Sequence, residues 1–206
     1  HLDVGSFVFD ALGERWAADI GSENYNRIEQ LGLSLWSMRQ ESDRWKLYRL
    51  SNASHNVVNP EGVLQNVGST GRLIYARDRD GVCEAAFDLD AIYRPAIGGW
   101  KRRTFLRQGS FRVEDAVTGL GGKPVPWGFA TRAKAEVDGR QVVLTQNGKA
   151  VVVRAEAPSD AVWSVGPAQG GHPADAKNGG WTRVTLAAPS VGEKVVYKVS
   201  FSPKGE

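Results

Sequence analysis

Short runs of alternating apolar and polar residues recur along the 206-residue chain, and glycines or prolines separate most of them. A period of two is typical of strands that bury one face. The clearest run spans residues 141–156, where two valine-rich segments flank Asn147-Gly148. Because both central residues of a tight hairpin need positive φ, this Asn-Gly pair predicts a β-hairpin.

About a dozen strands at regular spacing predict a two-layer sandwich. The remaining predicted strands cover residues 6–11 and 14–19 (a first hairpin), 45–50, 55–59, 71–76, 82–89, 101–106, 110–117, 124–131, 161–165, 181–186 and 194–201.

One segment interrupts this pattern. Residues 22–43 begin with a polar, turn-like stretch, and Ile28, Leu31 and Leu35 then recur at helical spacing. We therefore expect an all-β fold: one large antiparallel β-sandwich domain over residues 1–206, with a long loop and short helix inserted near residues 22–43.

Composition narrows the class of protein. A hydrophobic content of 41% and a charged content of 24% are those of a soluble globular domain. The net charge of +3 permits an anionic partner, but no concentrated basic helix or RNA-binding aromatic motif occurs, so we predict no nucleic-acid partner. No run of about eighteen apolar residues occurs, which predicts no membrane span. The chain has a single cysteine, Cys83, which excludes an intrachain disulfide. We predict that Cys83 is a small buried apolar residue in a strand.

Candidate metal ligands lie in the first quarter of the chain. His1, Asp19 and His55 would supply two imidazoles and a carboxylate if strand pairing brought them together. Such a set suits zinc and leaves a coordination position open. The residues alone also allow purely structural roles, because no two of these ligands are close enough in sequence to fix a site locally.

The chain resembles the heparinase II/III-type polysaccharide lyases, in their C-terminal β-sheet domain. Weaker similarities occur near residues 86–89, 113–115 and 126–127. The motifs that carry the resemblance are His1-Leu2-Asp3-x-Gly5-Ser6-Phe7, Trp16-Ala17-x-Asp19-x-Gly21, Arg44-Trp45-x-x-Tyr48-Arg49 and Ser54-His55-Asn56.

The resemblance implies that His1, Asp19 and His55 bind a metal, zinc or another divalent ion. It also implies a parent enzyme, periplasmic or secreted, that cleaves a uronate-containing acidic polysaccharide by β-elimination. In that family a further histidine precedes the one matched by His1, and an N-terminal helical toroid carries a catalytic tyrosine and an asparagine or histidine. Neither is present here, so we expect a C-terminal fragment of a larger lyase.

Other residues are candidates for contact with substrate. Tyr25 could act as a catalytic proton donor near the metal, or pack on the rim of a turn. Asn26 and Asn56 are candidate substrate-binding residues, and Asn56 could instead fix the His55 tautomer or satisfy backbone groups.

A basic patch covers residues 100–107. Strand alternation predicts Lys101 and Arg103 on one face and Arg102 on the other, which favours a solvated strand edge over an anion site.

The predicted function is that of a lyase domain that supplies a metal site and one wall of the substrate cleft. The isolated chain should be inactive. Heparin, heparan sulfate and alginate-like polymers all remain possible substrates. The alternatives are a non-catalytic carbohydrate-binding module, with Trp36, Trp100 and Trp181 as stacking candidates, and a purely structural domain.

Overall fold

Thirteen strands and one short α-helix make up the regular structure in the computed structural model, which describes residues 1–189 and 192–204. In chain order they are β1 Phe9–Ala11, β2 Glu14–Ala17, α1 Tyr25–Gln30, β3 Arg72–Arg79, β4 Val82–Asp88, β5 Gly99–Arg107, β6 Ser110–Thr118, β7 Trp127–Thr131, β8 Lys134–Asp138, β9 Gln141–Gln146, β10 Lys149–Ala157, β11 Val162–Pro167, β12 Thr182–Ala187 and β13 Lys194–Pro203.

The strands form an all-β sandwich, as predicted. An eight-stranded sheet has the order β3-β4-β5-β6-β13-β10-β9-β8, and a three-stranded sheet has the order β11-β12-β7. All pairings between neighbouring strands are antiparallel. The hairpin β1-β2 adds to the second layer through a bridge between Ala18 and Ala130. We call the two larger sheets the sandwich body.

The core lies between the layers and follows from strand alternation. Strand β13 buries every second residue, namely Val195, Tyr197, Val199 and Phe201. Each such large apolar side chain contributes about 1.5–3 kcal/mol when it leaves water. The opposing layer presents side chains to the same cluster from β7, β11 and β12: Trp127, Phe129, Trp163, Val184 and Leu186.

The predicted β9-β10 hairpin is confirmed. Lys149 pairs with Gln146, so the loop contains only Asn147 and Gly148. Both residues have positive φ, 49° and 73° respectively. The Asn147-Gly148 pair, between two apolar runs, was therefore sufficient to predict this hairpin.

A buried ion pair joins neighbouring strands of the large sheet. Arg102 of β5 donates through Nε and Nη2 to Asp115 of β6, at 2.8 and 2.7 Å. The indole N–H groups of Trp100 and Trp127 also donate to this carboxylate, at 2.6 and 2.9 Å. All four side chains are almost completely buried. The predicted split of faces is therefore correct, but Arg102 is a core residue and not part of a solvated edge.

Two predictions for single residues need correction, those for Trp100 and Cys83, whereas the stacking role of Trp181 stays a prediction. Trp100 is 0% exposed, so it cannot stack on a sugar. Cys83 is exposed rather than buried, and its thiol donates to Asp78 at 3.2 Å. Trp181 is half-buried, and the guanidinium of Arg132 lies over its ring at 4.6 Å.

The strand predicted over residues 45–50 is wrong. Two 3-10 turns, Asp43–Lys46 and Tyr48–Leu50, occupy this segment. Ser42 caps the first turn by accepting from the backbone N–H of Arg44 at 3.2 Å, which commits the chain to a local turn. An apolar pattern that alternates only imperfectly did not distinguish the two conformations.

Elsewhere the differences from prediction are smaller. Residues 55–59 make a single bridge, Val58 to Trp127, in place of a strand. Strand β8 was missed because it is a largely exposed edge strand with few apolar residues. The short helix expected near residues 22–43 is helix α1, and it ends at Gln30, just before Gly32, which takes a positive φ of 72°. No helix among the described residues is long and apolar enough to cross a bilayer.

Candidate metal centre

The first residues of the chain lie in a groove on the sandwich, fixed mainly through their backbone. The Leu2 N–H donates to the Leu50 carbonyl at 2.9 Å, and Gln65 makes two bonds of 3.0 Å with the backbone of Val4. Gly5 has a φ of 88°, and a Cβ there would lie 2.5 Å from the Trp100 ring. Only glycine fits at this position, and it allows the chain to pass directly over the core.

Asn56 joins the three segments that carry the candidate ligands. Its amide nitrogen donates to the carbonyls of Phe7 and Ala18 at 2.7 and 3.1 Å, and its amide oxygen accepts from the Ala130 N–H at 2.9 Å. The side chain is 0% exposed. The structure thus gives Asn56 a positioning role, holding backbone next to His55, in place of the predicted contact with substrate.

The predicted ligands His1, Asp19 and His55 do come together. The rings of His1 and His55 lie 5.3 Å apart between centroids. Nδ1 of His55 lies 2.7 Å from Oδ2 of Asp19, and the other Asp19 oxygen accepts from the Gly21 N–H at 2.7 Å. The hydrogen bond from His55 lowers the pKa of Asp19, against the opposing effect of burial, so this carboxyl is ionised.

An ionised carboxylate can only accept a hydrogen bond, so Nδ1 of His55 is the donor to Asp19. In a neutral His55 ring the proton is therefore on Nδ1. Nε2 then carries a free lone pair. This atom is buried and makes no hydrogen bond to any described residue. A buried polar atom without a partner is costly, and a metal ion would satisfy it.

A further carboxylate, which the sequence analysis missed, also lies at this point. Among the described residues, His1, Asp3 and His55 each offer a ligand atom, and these atoms lie within 4.8 Å of one another. The spacing could have shown this, because residues 1 and 3 of an extended segment point to the same side.

This donor set fits a divalent ion of the zinc type. Imidazole nitrogens with one carboxylate oxygen are ordinary zinc ligands, and three protein ligands leave a fourth position for water or substrate. Asp19 would act as the carboxylate that orients a metal-binding histidine through its second ring nitrogen.

The other predicted site residues lie on helix α1. Tyr25 packs edge-on against Trp36, with ring centroids 5.5 Å apart, and the Arg44 guanidinium lies 5.7 Å from its ring centre. Its described ring contacts are therefore with the loop and not with the imidazoles. Asn26 is exposed on the same helix. Their proposed roles in catalysis and substrate binding stay predictions.

Comparison with known families agrees with this architecture. The family model for the heparinase II/III-like C-terminal domain matches residues 1–199. This chain belongs to the heparinase II/III-like C-terminal family. The metal-site residues and the ion pair in the core of the sandwich both lie within the matched region. No curated protein sequence matches the chain.

Solved structures share the fold of this heparinase II/III-like domain. A heparan sulfate lyase, HepC from Pedobacter heparinus, superposes with a TM-score of 0.72 at 12% identity, over 100% of this chain and 31% of that one. A heparinase III superposes with a TM-score of 0.70 at 14% identity, over 98% and 30% respectively. The chain thus spans about a third of the length of these proteins.

Proposed function

We propose that this heparinase II/III-like domain is part of a lyase that cleaves a uronate-containing polysaccharide, in the periplasm or outside the cell, by β-elimination. The domain would supply a divalent metal site and one wall of the substrate cleft. The observation that carries the metal site is the buried, unpartnered Nε2 of His55 beside His1 and Asp3. Family membership supports the lyase assignment.

The ligands we propose are His1, His55 and an aspartate. The geometry favours Asp3 as the third ligand and Asp19 as the partner of Nδ1, whereas the sequence analysis assigned Asp19 as a direct ligand. When bound, the ion would supply a cross-link between residues 1 and 55 and a Lewis-acidic position facing the solvent. That cross-link would close the long loop that precedes His55.

The remaining requirements of β-elimination are an acid and a base close to the C5 proton and the leaving oxygen. Histidines that bind a metal through one nitrogen cannot also use that nitrogen as a base. Tyr25 would have to serve both steps alone, from a position packed against Trp36. We therefore propose that the acid and base come from the rest of the enzyme.

Two measurements test this proposal. Elemental analysis and calorimetric zinc titration of the purified chain should give one bound zinc per chain, lost in His55→Ala. Asp3→Asn should weaken zinc binding more than Asp19→Asn if Asp3 is the ligand. Zinc bound elsewhere, or not at all, would refute the site.

Activity is tested separately. The isolated chain should give no increase in unsaturated-uronide absorbance on heparan sulfate or alginate, and the full-length enzyme should. An increase from the isolated chain that is lost in Tyr25→Phe would place the acid or base in this domain.

A second candidate, a non-catalytic carbohydrate-binding module, is favoured by one feature. Trp36 is 66% exposed, and its indole N–H is fixed by the carboxylate of Glu29 at 2.5 Å. A rigid, exposed aromatic ring is a suitable platform for a sugar face. Binding of polysaccharide without turnover, even in the full-length protein, would favour this function.

A further inference from the structure

A polar pocket lies next to the His55 backbone, because Arg183 in its lining donates to the His55 carbonyl. Its cavity is about 240 Å³ and lies between the 3-10 turn at Tyr48 and strand β12. Arg183 and Thr185 of β12, Asn59 and Gln169 contribute its polar lining. It shares no side chain with the group formed by His1, Asp3, Asp19 and His55.

Arg183 is the only charged residue that lines this pocket among the described residues. Its Nη1 donates to the carbonyls of His55 and Ser54 at 2.9 and 3.3 Å. No carboxylate of the described residues lies within ion-pair distance of it. Burial lowers the pKa of this guanidinium.

This contrasts with Arg102, which is almost completely buried, whereas Arg183 is half-buried. Arg102 is neutralised by Asp115 through two hydrogen bonds. A partly buried charge without a carboxylate partner is costly, and a bound anion would offset that cost. Arg183 can therefore bind an anion from solution, whereas Arg102 already has Asp115.

The rest of the pocket would complement an oxyanion. The hydroxyls of Tyr48 and Thr185 and the carboxamide of Gln169 make no side-chain hydrogen bond with any described residue, and each can donate. Pro126 and Pro167 add apolar surface, on which the carbon face of a sugar ring could pack. Donors around a guanidinium, with no competing carboxylate, favour carboxylate or sulfate groups.

We propose that this pocket binds the oxyanion group of an acidic sugar, either a uronate carboxylate or a sulfate ester. The sugar part of this assignment rests on the proposed function, whereas anion binding by Arg183 does not. The pocket would be a subsite that holds one charged group of the polysaccharide next to the metal-bearing segment.

Titration by NMR tests this with the purified, metal-free chain at constant ionic strength. The probes are methyl glucuronoside, glucose 6-sulfate and uncharged methyl glucoside. We expect saturable shifts of the backbone amides around the pocket (residues 48, 53, 59, 169 and 183–185) with one or both charged sugars, and none with the uncharged one. Saturable shifts with only the uronoside would show that the pocket binds a carboxylate, and shifts with only the sulfated sugar would show that it binds a sulfate ester. No saturable shift with either charged sugar, or equal shifts with the uncharged sugar, overturns the proposal.

Variants separate the pocket from general charge effects. Arg183→Met removes the charge, but it also removes the bonds to the His55 and Ser54 carbonyls and could unfold the segment. Gln169→Glu keeps the bonds from Arg183 to these two carbonyls and adds a negative charge to the pocket. It should therefore weaken binding of the charged sugar about tenfold or more. Gln30→Glu on the exposed helix α1 adds the same charge elsewhere and should leave binding unchanged. Equal affinity in Gln169→Glu and the parent chain would refute the subsite.

The readout also distinguishes this proposal from the lyase assignment. It needs neither turnover nor metal, so a chain that binds no zinc can still show the anion subsite. Conversely, a zinc-binding chain without saturable shifts would retain the metal site and lose only the pocket.

Discussion

The sandwich body and the connecting loop, residues 20–54, are stabilised in different ways. In the body, antiparallel ladders and a continuous apolar core hold the strands together. The connecting loop contains a six-residue helix and short 3-10 turns, and its own apolar cluster is small. It is attached to the rest of the chain through this cluster and through polar contacts, such as the bond from the Tyr48 N–H to Asp175 at 2.8 Å.

This difference bears on how a functional site is built. The body fixes positions precisely, because a residue on a paired strand has little freedom. The loop connects Asp19 to His55, so its conformation determines how these two residues are placed relative to each other. An ion or ligand that binds only the folded state would stabilise this placement without further apolar burial. The candidate metal centre lies at this boundary, since His55 follows directly after the 3-10 turn Asn52–Ser54.

The largest expected effect comes from breaking the body at its buried ion pair. Asp115→Ala would leave the buried Arg102 charge without its counter-ion. It would also remove the acceptor of two indole N–H groups. We expect a loss of about 3–5 kcal/mol in the free energy of unfolding, measured by urea denaturation. Asp138→Ala, an exposed aspartate on edge strand β8, is the matched control and should change it by less than about 0.5 kcal/mol. A loss of under 1 kcal/mol in Asp115→Ala would contradict this account of the body.

A smaller effect is expected from metal at the boundary. Zinc at a hundredfold excess over its dissociation constant should raise the free energy of unfolding by about 2.7 kcal/mol. Amide exchange in residues 20–54 should slow more than exchange in the sheets. His55→Ala should abolish both effects, whereas His172→Ala, in a surface loop, should keep them. Stabilisation by zinc that persists in His55→Ala would show that the loop is held by something else.

Glu23, at the start of the connecting loop, allows a test by pH. Burial raises the pKa of this carboxyl, and the guanidinium of Arg49 at 3.9 Å opposes the shift only in part. The folded state therefore holds the proton more tightly than the unfolded chain. The stability that protonation provides is complete below the unfolded pKa of about 4.3 and is lost as pH rises through the higher folded pKa.

Glu23→Gln does not titrate, so it should keep this stability. We expect its free energy of unfolding to exceed that of the parent chain at neutral pH, with no difference near pH 3. Glu61→Gln, an exposed carboxamide substitution, controls for the change in net charge. A constant difference across the pH range would mean that the Glu23 carboxyl does not carry the effect.

The sequence predicts the body better than the loop for a physical reason. Strand alternation and the Asn147-Gly148 turn are local signals, and they identified most strands and the β9-β10 hairpin. The 3-10 turns at Asp43–Lys46 and Tyr48–Leu50 depend on capping and on distant contacts such as Asp175 to the Tyr48 N–H. No local pattern contains that information.

The candidate site was predictable in part. The convergence of His1, Asp19 and His55 came from family resemblance, since their separation in sequence fixes nothing locally. Asp3 could have been found from its spacing to His1, because alternate residues of an extended chain share a side. The buried role of Arg102 and the uncompensated charge of Arg183 were not predictable, because burial of an arginine on a strand depends on what covers that face.

The smallest effect on stability is expected at the most exposed part of the loop. Trp36 is 66% exposed, and its ring contacts Tyr25 edge-on, so little apolar burial is lost on its removal. Trp36→Ala should change the free energy of unfolding by less than about 0.5 kcal/mol. Its effect on ligand binding should be larger: retention by immobilised acidic polysaccharide should weaken about twofold to tenfold, the range of one aromatic stacking contact. Met38→Ala removes a 57% exposed apolar side chain from the same loop and should leave retention unchanged. Equal retention of the two variants and the parent chain would exclude Trp36 as a sugar platform, and the loop would then act through the metal site alone.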